Sequence, residues 1–209
     1  LSLCLKEINE KLKVKHSSIM LIDDDGDGLI VKACHGDRSK QALGKTQKID
    51  EGVAGRVVAE RKPILVTDIR RDNRFNRSER PDYKTKSFVS APLIVEERVL
   101  GVINVIDKVS GDSFCETDVN LLCTIAGQVS IAVENARLYE ALEENCFNMV
   151  TALAKSLEAK DKYTSGHSQR VAEYSSVMAR TMGVSDKDMT TLRHAALLHD
   201  IGKIGISEF

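Results

Sequence analysis

The sequence lacks several features that would assign it to a particular class of protein. Its longest apolar runs are far too short to cross a bilayer, which excludes a membrane-spanning segment within these 209 residues. Lysine and arginine total 30 against 31 aspartate and glutamate, so bulk charge gives no case for a nucleic-acid or membrane-surface binder. The 42% hydrophobic and 29% charged residues are typical of a globular protein.

The cysteines include no CxxC pair, although there are five of them: Cys4, Cys34, Cys115, Cys123 and Cys146. An odd number without paired spacing predicts a reducing, cytoplasmic setting. An initiator methionine is also missing, and the chain stops nine residues after Asp200. We therefore expect the 209 residues to be a piece of a longer protein.

The first two thirds of the chain alternate between helical and extended patterns. Apolar residues at positions 1, 5, 8 and 12 have helical spacing. Two strands are predicted around the turn "DDDGDG", and two more, "SFVSAPLIV" and "RVLGVINVI", are predicted to form a hairpin through "EE". A short helix and a strand lie between the two pairs, at "DEGVAGRVVAERK" and "PILVTD". This order predicts a mixed α/β domain over residues 1–138.

A long helix is predicted from Thr117 onward. Its first apolar stripe falls at positions 119, 122, 126, 129, 133 and 136, and we interpret it as packing on the sheet of the same domain. A second stripe follows after one irregular step, at positions 139, 142, 146, 149, 153 and 157. Its heptad-like spacing leaves two alternatives, a parallel homodimer contact or packing within the chain. We assign residues 139–148 to a helical linker and 149–209 to a helical segment.

The helical segment contains the residues best suited to chemistry. Two helices are predicted, one capped by Thr164 or Ser165 and one starting at the capping-box-like "SDKD". The faces predicted to turn inward carry His167 with Val171, Tyr174 and Met178, and His199 with Met189, Leu192 and Ala196.

His167, His199 and the adjacent Asp200 form a candidate metal site. Imidazole nitrogen and carboxylate oxygen suit zinc, iron or manganese. A carboxylate can also bridge two metals, which makes Asp200 the natural bridging ligand for a pair that activates water and holds a phosphoryl group. Lys203, one helical turn later, is a candidate for holding a phosphate charge.

The stretches "DKYTSGHSQRV" and "LRHAALLHDIGKIGI" resemble the first part of an HD-GYP domain, a bacterial subgroup of the HD phosphohydrolases. This resemblance, over roughly residues 149–209, implies a phosphodiesterase that hydrolyses cyclic di-GMP with two or three metal ions, often iron or manganese. It places His167, His199 and Asp200 on family metal ligands and Lys203 on a lysine that contacts substrate phosphate. Members with a third metal carry glutamate where this chain has Tyr163, so we expect a two-metal site.

The later ligands and the GYP motif of that family do not occur in this sequence. We therefore expect the 209-residue chain alone to bind metal poorly and to have no phosphodiesterase activity.

Residues from about 1 to 140 resemble a GAF domain, on the stretches "DEGVAGRVVAERKPILVTDI", "SFVSAPLIVEERVLGVINVIDK" and "FCETDVNLLCTIAGQVSIAVENARLYE". The resemblance implies an antiparallel sheet of about six strands with helices on its faces, and a role in sensing a small molecule or in dimerisation. Relatives that bind cyclic nucleotides carry an Asn-Lys…Phe-x-x-x-Asp-Glu motif. Asp107 and Val119 replace its first and last residues, so cyclic-nucleotide binding is not favoured.

The expected fold is thus α+β: a GAF-type sheet, a long linker helix and an all-α HD-domain fragment. The first functional hypothesis is a cytoplasmic signalling protein in which a GAF sensor controls a cyclic di-GMP phosphodiesterase with divalent metal ions. The second is a small-molecule-binding or dimerisation module, with the HD segment as a transmitter or a degenerate adaptor. The predicted partners are a cyclic dinucleotide, an unidentified small molecule on the GAF domain and a second copy of the chain.

Overall fold

The computed structural model describes residues 1–36, 39–75, 86–158 and 166–202. Within these ranges the helices are α1 Ser2–Leu12, α2 Ser39–Ala42, α3 Gly52–Glu60, α4 Glu116–Glu158, α5 His167–Thr181 and α6 Asp186–Leu198. The strands are β1 Val14–Ile22, β2 Gly28–His35, β3 Thr46–Lys48, β4 Ile64–Val66, β5 Phe88–Val95 and β6 Arg98–Lys108. None of the helices in the described ranges has the length and apolarity that crossing a membrane requires.

The chain divides into two compact units, the N-terminal unit Leu1–Ala136 and the C-terminal unit Arg137–Phe209. The N-terminal unit contains one antiparallel sheet with the strand order β3-β2-β1-β6-β5-β4. The predicted hairpin through "EE" is confirmed, since Val95 pairs with Arg98 across the two intervening glutamates. The expectation of a six-stranded antiparallel sheet flanked by helices is also confirmed.

Alternation along the strands gives the sheet two apolar faces. On β6, for example, Ile103 and Val105 belong to one buried cluster and Val102 belongs to the other. The first cluster also contains residues of α1 and of the beginning of α4, and the second contains residues of α3. The helices therefore lie on both faces of the sheet.

The first apolar stripe of α4 packs as predicted. Val119, Leu122, Ala126 and Val129 are buried against the sheet in the first cluster, and Val133 packs against the same cluster. The spacing of these residues keeps them on one side of the helix, which explains why the sequence pattern identified the contact.

Asp118 links the beginning of α4 to the end of β6. Its carboxylate accepts a hydrogen bond from the backbone N–H of Cys115 at 2.8 Å and from the Lys108 ammonium at 2.8 and 3.0 Å. Burial favours the neutral form of Asp118, but the hydrogen bonds from Lys108 and Cys115 outweigh it, so the pKa of this carboxyl lies below its usual range. The Lys108 ammonium also lies 5.6 Å from the centre of the buried Phe114 ring.

Gly101 and Gly127 occupy opposite environments. Gly101 lies in β6, next to β1, and a Cβ at this position would overlap the backbone carbonyl oxygen of Met20. Gly127 lies on α4, and a Cβ there would meet no atom within 4 Å. Sheet packing therefore requires the first glycine, while nothing around the second does.

We expect Asp118→Asn to lower the free energy of unfolding at neutral pH by about 1 kcal/mol or less, as for a partly exposed ion pair. Because the folded-state pKa is lowered, the stabilisation by the carboxylate is complete above the unfolded-state pKa of about 3.9 and is lost as the pH falls through the folded-state pKa. Urea unfolding across this range should show the difference between the two proteins shrinking in acid. A difference that does not change with pH would contradict the role of the charge.

We expect Gly101→Ala to destabilise the protein by about 2 kcal/mol or more, since backbone must move to admit the methyl group. Gly127→Ala should stabilise it by about 0.5–1 kcal/mol, because alanine has the higher helix propensity and the site is open. Chemical denaturation of both variants tests the prediction. Equal stabilities would show that the β1–β6 contact tolerates a side chain.

Candidate metal centre

Three side chains of the C-terminal unit lie close enough together to hold a metal ion. His167, His199 and Asp200 each offer one ligand atom, and these atoms all lie within 4.8 Å of one another. Two ligands of the same ion lie at most about 4.4 Å apart, because bonds to nitrogen and oxygen are about 2.0–2.2 Å long. The distances between the ligand atoms thus exceed the limit for a single ion by at most a few tenths of an ångström.

His167 is the first residue of α5, and the residue before it determines its position. Gly166 is the N-cap of the helix and has a φ of 72°, a left-handed conformation that favours glycine. The described helix has Gly166 as its N-cap, and the predicted caps, Thr164 and Ser165, lie outside the described residues. The ring of His167 lies 5.3 Å from the ring of His199, measured between centroids.

His199 directly follows α6 and is oriented by a backbone contact. Its Nδ1 lies 2.8 Å from the carbonyl oxygen of Ala196. A carbonyl oxygen only accepts hydrogen bonds, so Nδ1–H is the donor, and in the neutral imidazole the lone pair then lies on Nε2. Nε2 lies 3.4 Å from the nearer carboxylate oxygen of Asp200. The nitrogen that the neutral imidazole can offer to a metal therefore lies on the side of the ring that faces the carboxylate.

The donors fit a transition metal. Two neutral imidazoles and one carboxylate suit zinc, iron or manganese better than calcium or magnesium, which prefer oxygen ligands. Three protein ligands leave coordination positions for water or substrate. Lys203, the predicted phosphate contact, and Tyr163, at the position of a third-metal ligand, both lie outside the described residues.

α5 packs through a different face from the one predicted. Its buried residues are Ser168, Ala172 and Ala179, whereas the side chains of Tyr174 and Met178 are 64% and 59% exposed. The prediction that Tyr174 and Met178 turn inward is therefore wrong. The small Ala172 packs against Ala196 and Leu197 of α6, whereas Tyr174 and Met178 are mostly exposed.

α6 begins as predicted. Ser185 is its N-cap, and the Ser185 hydroxyl accepts the backbone N–H of Asp188 at 3.2 Å while donating to the Asp188 carboxylate at 2.7 Å. This arrangement fixes the first turn of the helix that ends next to His199.

A small apolar cluster joins three helices of the C-terminal unit. Its members are Phe147 and Val150 of α4, Val171 and Ala172 of α5, and Ala196 and Leu197 of α6. The Phe147 ring also lies 4.4 Å from the guanidinium carbon of Arg193 and 6.0 Å from the ring of His194. Sequence reasoning missed Phe147, although the spacing of Phe147, Val150 and Ala154 is helical and could have revealed this face.

The second stripe of α4 is mostly exposed. Tyr139, Leu142, Met149 and Leu153 have exposed fractions of 70%, 57%, 60% and 57%, and Cys146 is half-buried. The face that packs within the C-terminal unit is therefore the neighbouring one, which carries Phe147 and Val150.

The N-terminal unit carries a row of polar side chains across its sheet, which sequence reasoning also missed. The Ser90 hydroxyl donates to the Asn104 side-chain oxygen at 2.7 Å, and the Asn104 amide donates to the Ser18 hydroxyl at 3.3 Å. In the sequence, the sign of this row is the presence of these polar residues within otherwise apolar strands. Lys108, Phe114 and Asp118 match part of the cyclic-nucleotide motif, and Lys108 contacts both of the others.

Comparisons with known proteins match both units. The family model described as GAF domain matches residues 1–134, and the one described as HD domain matches residues 164–209. The chain is 56% identical over 59 residues to the 3'3'-cGAMP-specific phosphodiesterase 3 of Vibrio cholerae. The aligned region covers 28% of this chain and 13% of the relative. It is 28% identical over 124 residues to the 3'3'-cGAMP-specific phosphodiesterase 2 of Vibrio cholerae. This alignment covers 59% of this chain and 24% of the relative. The chain thus spans less than a quarter of the length of either relative.

Solved structures share the fold at low identity. A methyl-accepting chemotaxis protein, residues 122 to 287, has a TM-score of 0.59 and 24% identity, over 67% of this chain and 90% of that chain. The GAF domain of a phosphoenolpyruvate-protein phosphotransferase from Coxiella burnetii has a TM-score of 0.58 and 23% identity, over 68% of this chain and 84% of that chain. Since the family model covers more than half of the sequence, the chain belongs to the GAF domain family, and its GAF domain is followed by an HD-domain segment.

Proposed function

We propose that this protein is a signalling phosphodiesterase in which a GAF domain controls metal-dependent hydrolysis of a cyclic dinucleotide. The observation that carries the proposal is the cluster of His167, His199 and Asp200, whose ligand atoms lie within 4.8 Å of one another. The two Vibrio cholerae relatives, which are named as 3'3'-cGAMP-specific phosphodiesterases, support the reaction class. The specific substrate that we predict is cyclic di-GMP, and a cytoplasmic location is part of the same proposal.

Each residue has a distinct part in this proposal. A bound divalent metal would supply Lewis-acid activation of the phosphodiester and of water. His167 and His199 would hold the ion through neutral imidazoles, and the Ala196 carbonyl, which accepts the Nδ1–H of His199, would leave Nε2 free to coordinate. Asp200 offers a carboxylate that can bridge two ions, and Lys203 is the predicted phosphate contact.

The metals that we propose are iron, manganese or zinc, arranged as a pair. Three donors occupy only part of the coordination of two ions, so a stable pair needs ligands in addition to His167, His199 and Asp200. The same reasoning predicts weak metal binding by these three residues alone.

Dimerisation is a second proposed function, and the exposed stripe of α4 favours it. The stripe residues Tyr139, Leu142, Met149 and Leu153 are more than half exposed, and their spacing fits the heptad repeat of a coiled coil. In a twofold parallel pair each stripe meets an identical stripe, so a second copy of this chain supplies a complementary apolar surface.

Metal titration tests the ligand roles. The 209-residue chain should bind Co²⁺ weakly, and the affinity should fall by at least about tenfold in His167→Ala and in His199→Ala. His35→Ala, which changes an exposed histidine of the N-terminal unit, is the matched control and should leave the affinity unchanged. Equal affinities in all four proteins, measured by cobalt absorption, would remove His167 and His199 from the site.

Hydrolysis tests the activity. In the native protein that contains this sequence, release of linear dinucleotide from cyclic di-GMP should require Mn²⁺ or Fe²⁺ and should fall by about 100-fold or more in His199→Ala. Parallel assays with 3'3'-cGAMP identify the substrate, and faster cleavage of 3'3'-cGAMP would replace cyclic di-GMP in the proposal. Metal-dependent activity that survives His199→Ala would refute the site.

The 209-residue chain by itself should show no hydrolysis, because its three described donors do not complete a metal pair. Turnover by this chain that His199→Ala abolishes would contradict the expectation while supporting the phosphodiesterase.

Light scattering tests the dimer. We expect the mass of a dimer for the unmodified chain and of a monomer for the double variant Leu142→Glu and Leu153→Glu, because four glutamates would then meet in the seam. The control pair, Asn148→Glu and Lys155→Glu, changes exposed residues on another side of α4 and should remain dimeric. A monomer at high concentration in the unmodified chain would exclude pairing through this stripe.

A further inference from the structure

We infer that Phe147 of α4 is a positioning residue for the metal centre, because it holds α6 so that His199 presents its Nε2 to a metal. This inference deepens the proposed function and rests on it. The ring contacts that the structure gives Phe147 are with Arg193 and His194 of α6, so its proposed action on the site runs through α6.

The contact between Phe147 and α6 combines packing with electrostatic attraction. The guanidinium carbon of Arg193 lies 4.4 Å from the centre of the Phe147 ring, a distance at which the negative face of the ring attracts the cation. The ring of His194, the next residue, lies 6.0 Å from the same ring. One aromatic side chain therefore contacts two consecutive residues of α6.

The position of α6 determines the orientation of His199. Ala196 follows Arg193 by one helical turn, and Ala196 and Leu197 are buried in the cluster against which Phe147 packs. The Ala196 carbonyl accepts the Nδ1–H of His199. A movement of α6 away from Phe147 would therefore displace the acceptor that keeps the imidazole in its coordinating tautomer.

The same cluster also contacts the helix that carries the other histidine. Val171 and Ala172 of α5 belong to it, and Val171 follows His167 by one helical turn. Phe147 thus lies at the junction of the two helices whose imidazole rings are 5.3 Å apart. Metal sites tolerate errors of only about 0.2 Å in their bond lengths, so small changes in the spacing of α5 and α6 affect the site.

The first experiment uses the metal-free 209-residue chain with ¹⁵N-labelled histidine. Long-range ¹H–¹⁵N spectra report the fraction of His199 that carries its hydrogen on Nδ1. We expect Phe147→Leu, which keeps apolar bulk but removes the aromatic face, to lower this fraction. Phe147→Tyr restores the ring and should restore the fraction. Asn148→Ala, an exposed change one residue away, should leave it unchanged.

The second experiment measures Co²⁺ affinity in the same proteins. Phe147→Leu should weaken binding by about tenfold, the lower end of the effect of groups that orient metal ligands, with recovery in Phe147→Tyr. Arg193→Gln should weaken binding as well and should add nothing in the Phe147→Leu background, because both changes remove one interaction. Since Arg193 is exposed, Arg193→Gln keeps the test valid if Phe147→Leu fails to fold.

An unchanged tautomer fraction and Co²⁺ affinity in Phe147→Leu would overturn the inference, and so would a loss that Phe147→Tyr does not restore. If His199→Ala leaves Co²⁺ binding unchanged, the proposed function fails. The tautomer measurement on the metal-free chain then still decides whether Phe147 orients His199.

Discussion

The packing along α4 is the interaction on which both units depend. This single helix of 43 residues places Val119 and Leu122 in the core of the N-terminal unit and Phe147 and Val150 in the core of the C-terminal unit. A third side, which includes Leu142, is exposed. Because an α-helix has one fixed period, residue number determines which side of α4 each of these residues occupies.

The sequence pattern predicted the parts of the fold that periodicity controls. The β5–β6 hairpin, the buried stripe from Val119 to Val129 and the Ser185 cap each depend on residues close together in the chain, and each was identified correctly. The spacing of His167 and His199 on successive helices also suggested a common site, and the fold places their rings 5.3 Å apart. Local rules suffice where the relevant contacts repeat with the helix or strand.

Other features depend on side-chain size and tertiary geometry. Tyr174 and Met178 share a helical face with His167, yet the buried side of α5 carries the smaller Ala172 and Ala179, since small residues permit a closer approach. The importance of Phe147 depends on Arg193, which lies 46 positions later in the chain. No pattern in a single sequence encodes a pairing over that distance.

The hydrogen bond between His199 and the Ala196 carbonyl has a thermodynamic consequence. The acceptor belongs to the last turn of α6, and terminal helical turns fray more readily than interior ones. Each frayed molecule lacks the acceptor that orients the imidazole, so a metal ion that binds the oriented ring must also suppress fraying. If a metal binds as proposed, its occupancy and the order of the end of α6 would therefore be linked equilibria, and a ligand that altered either one would alter the other by the same free energy.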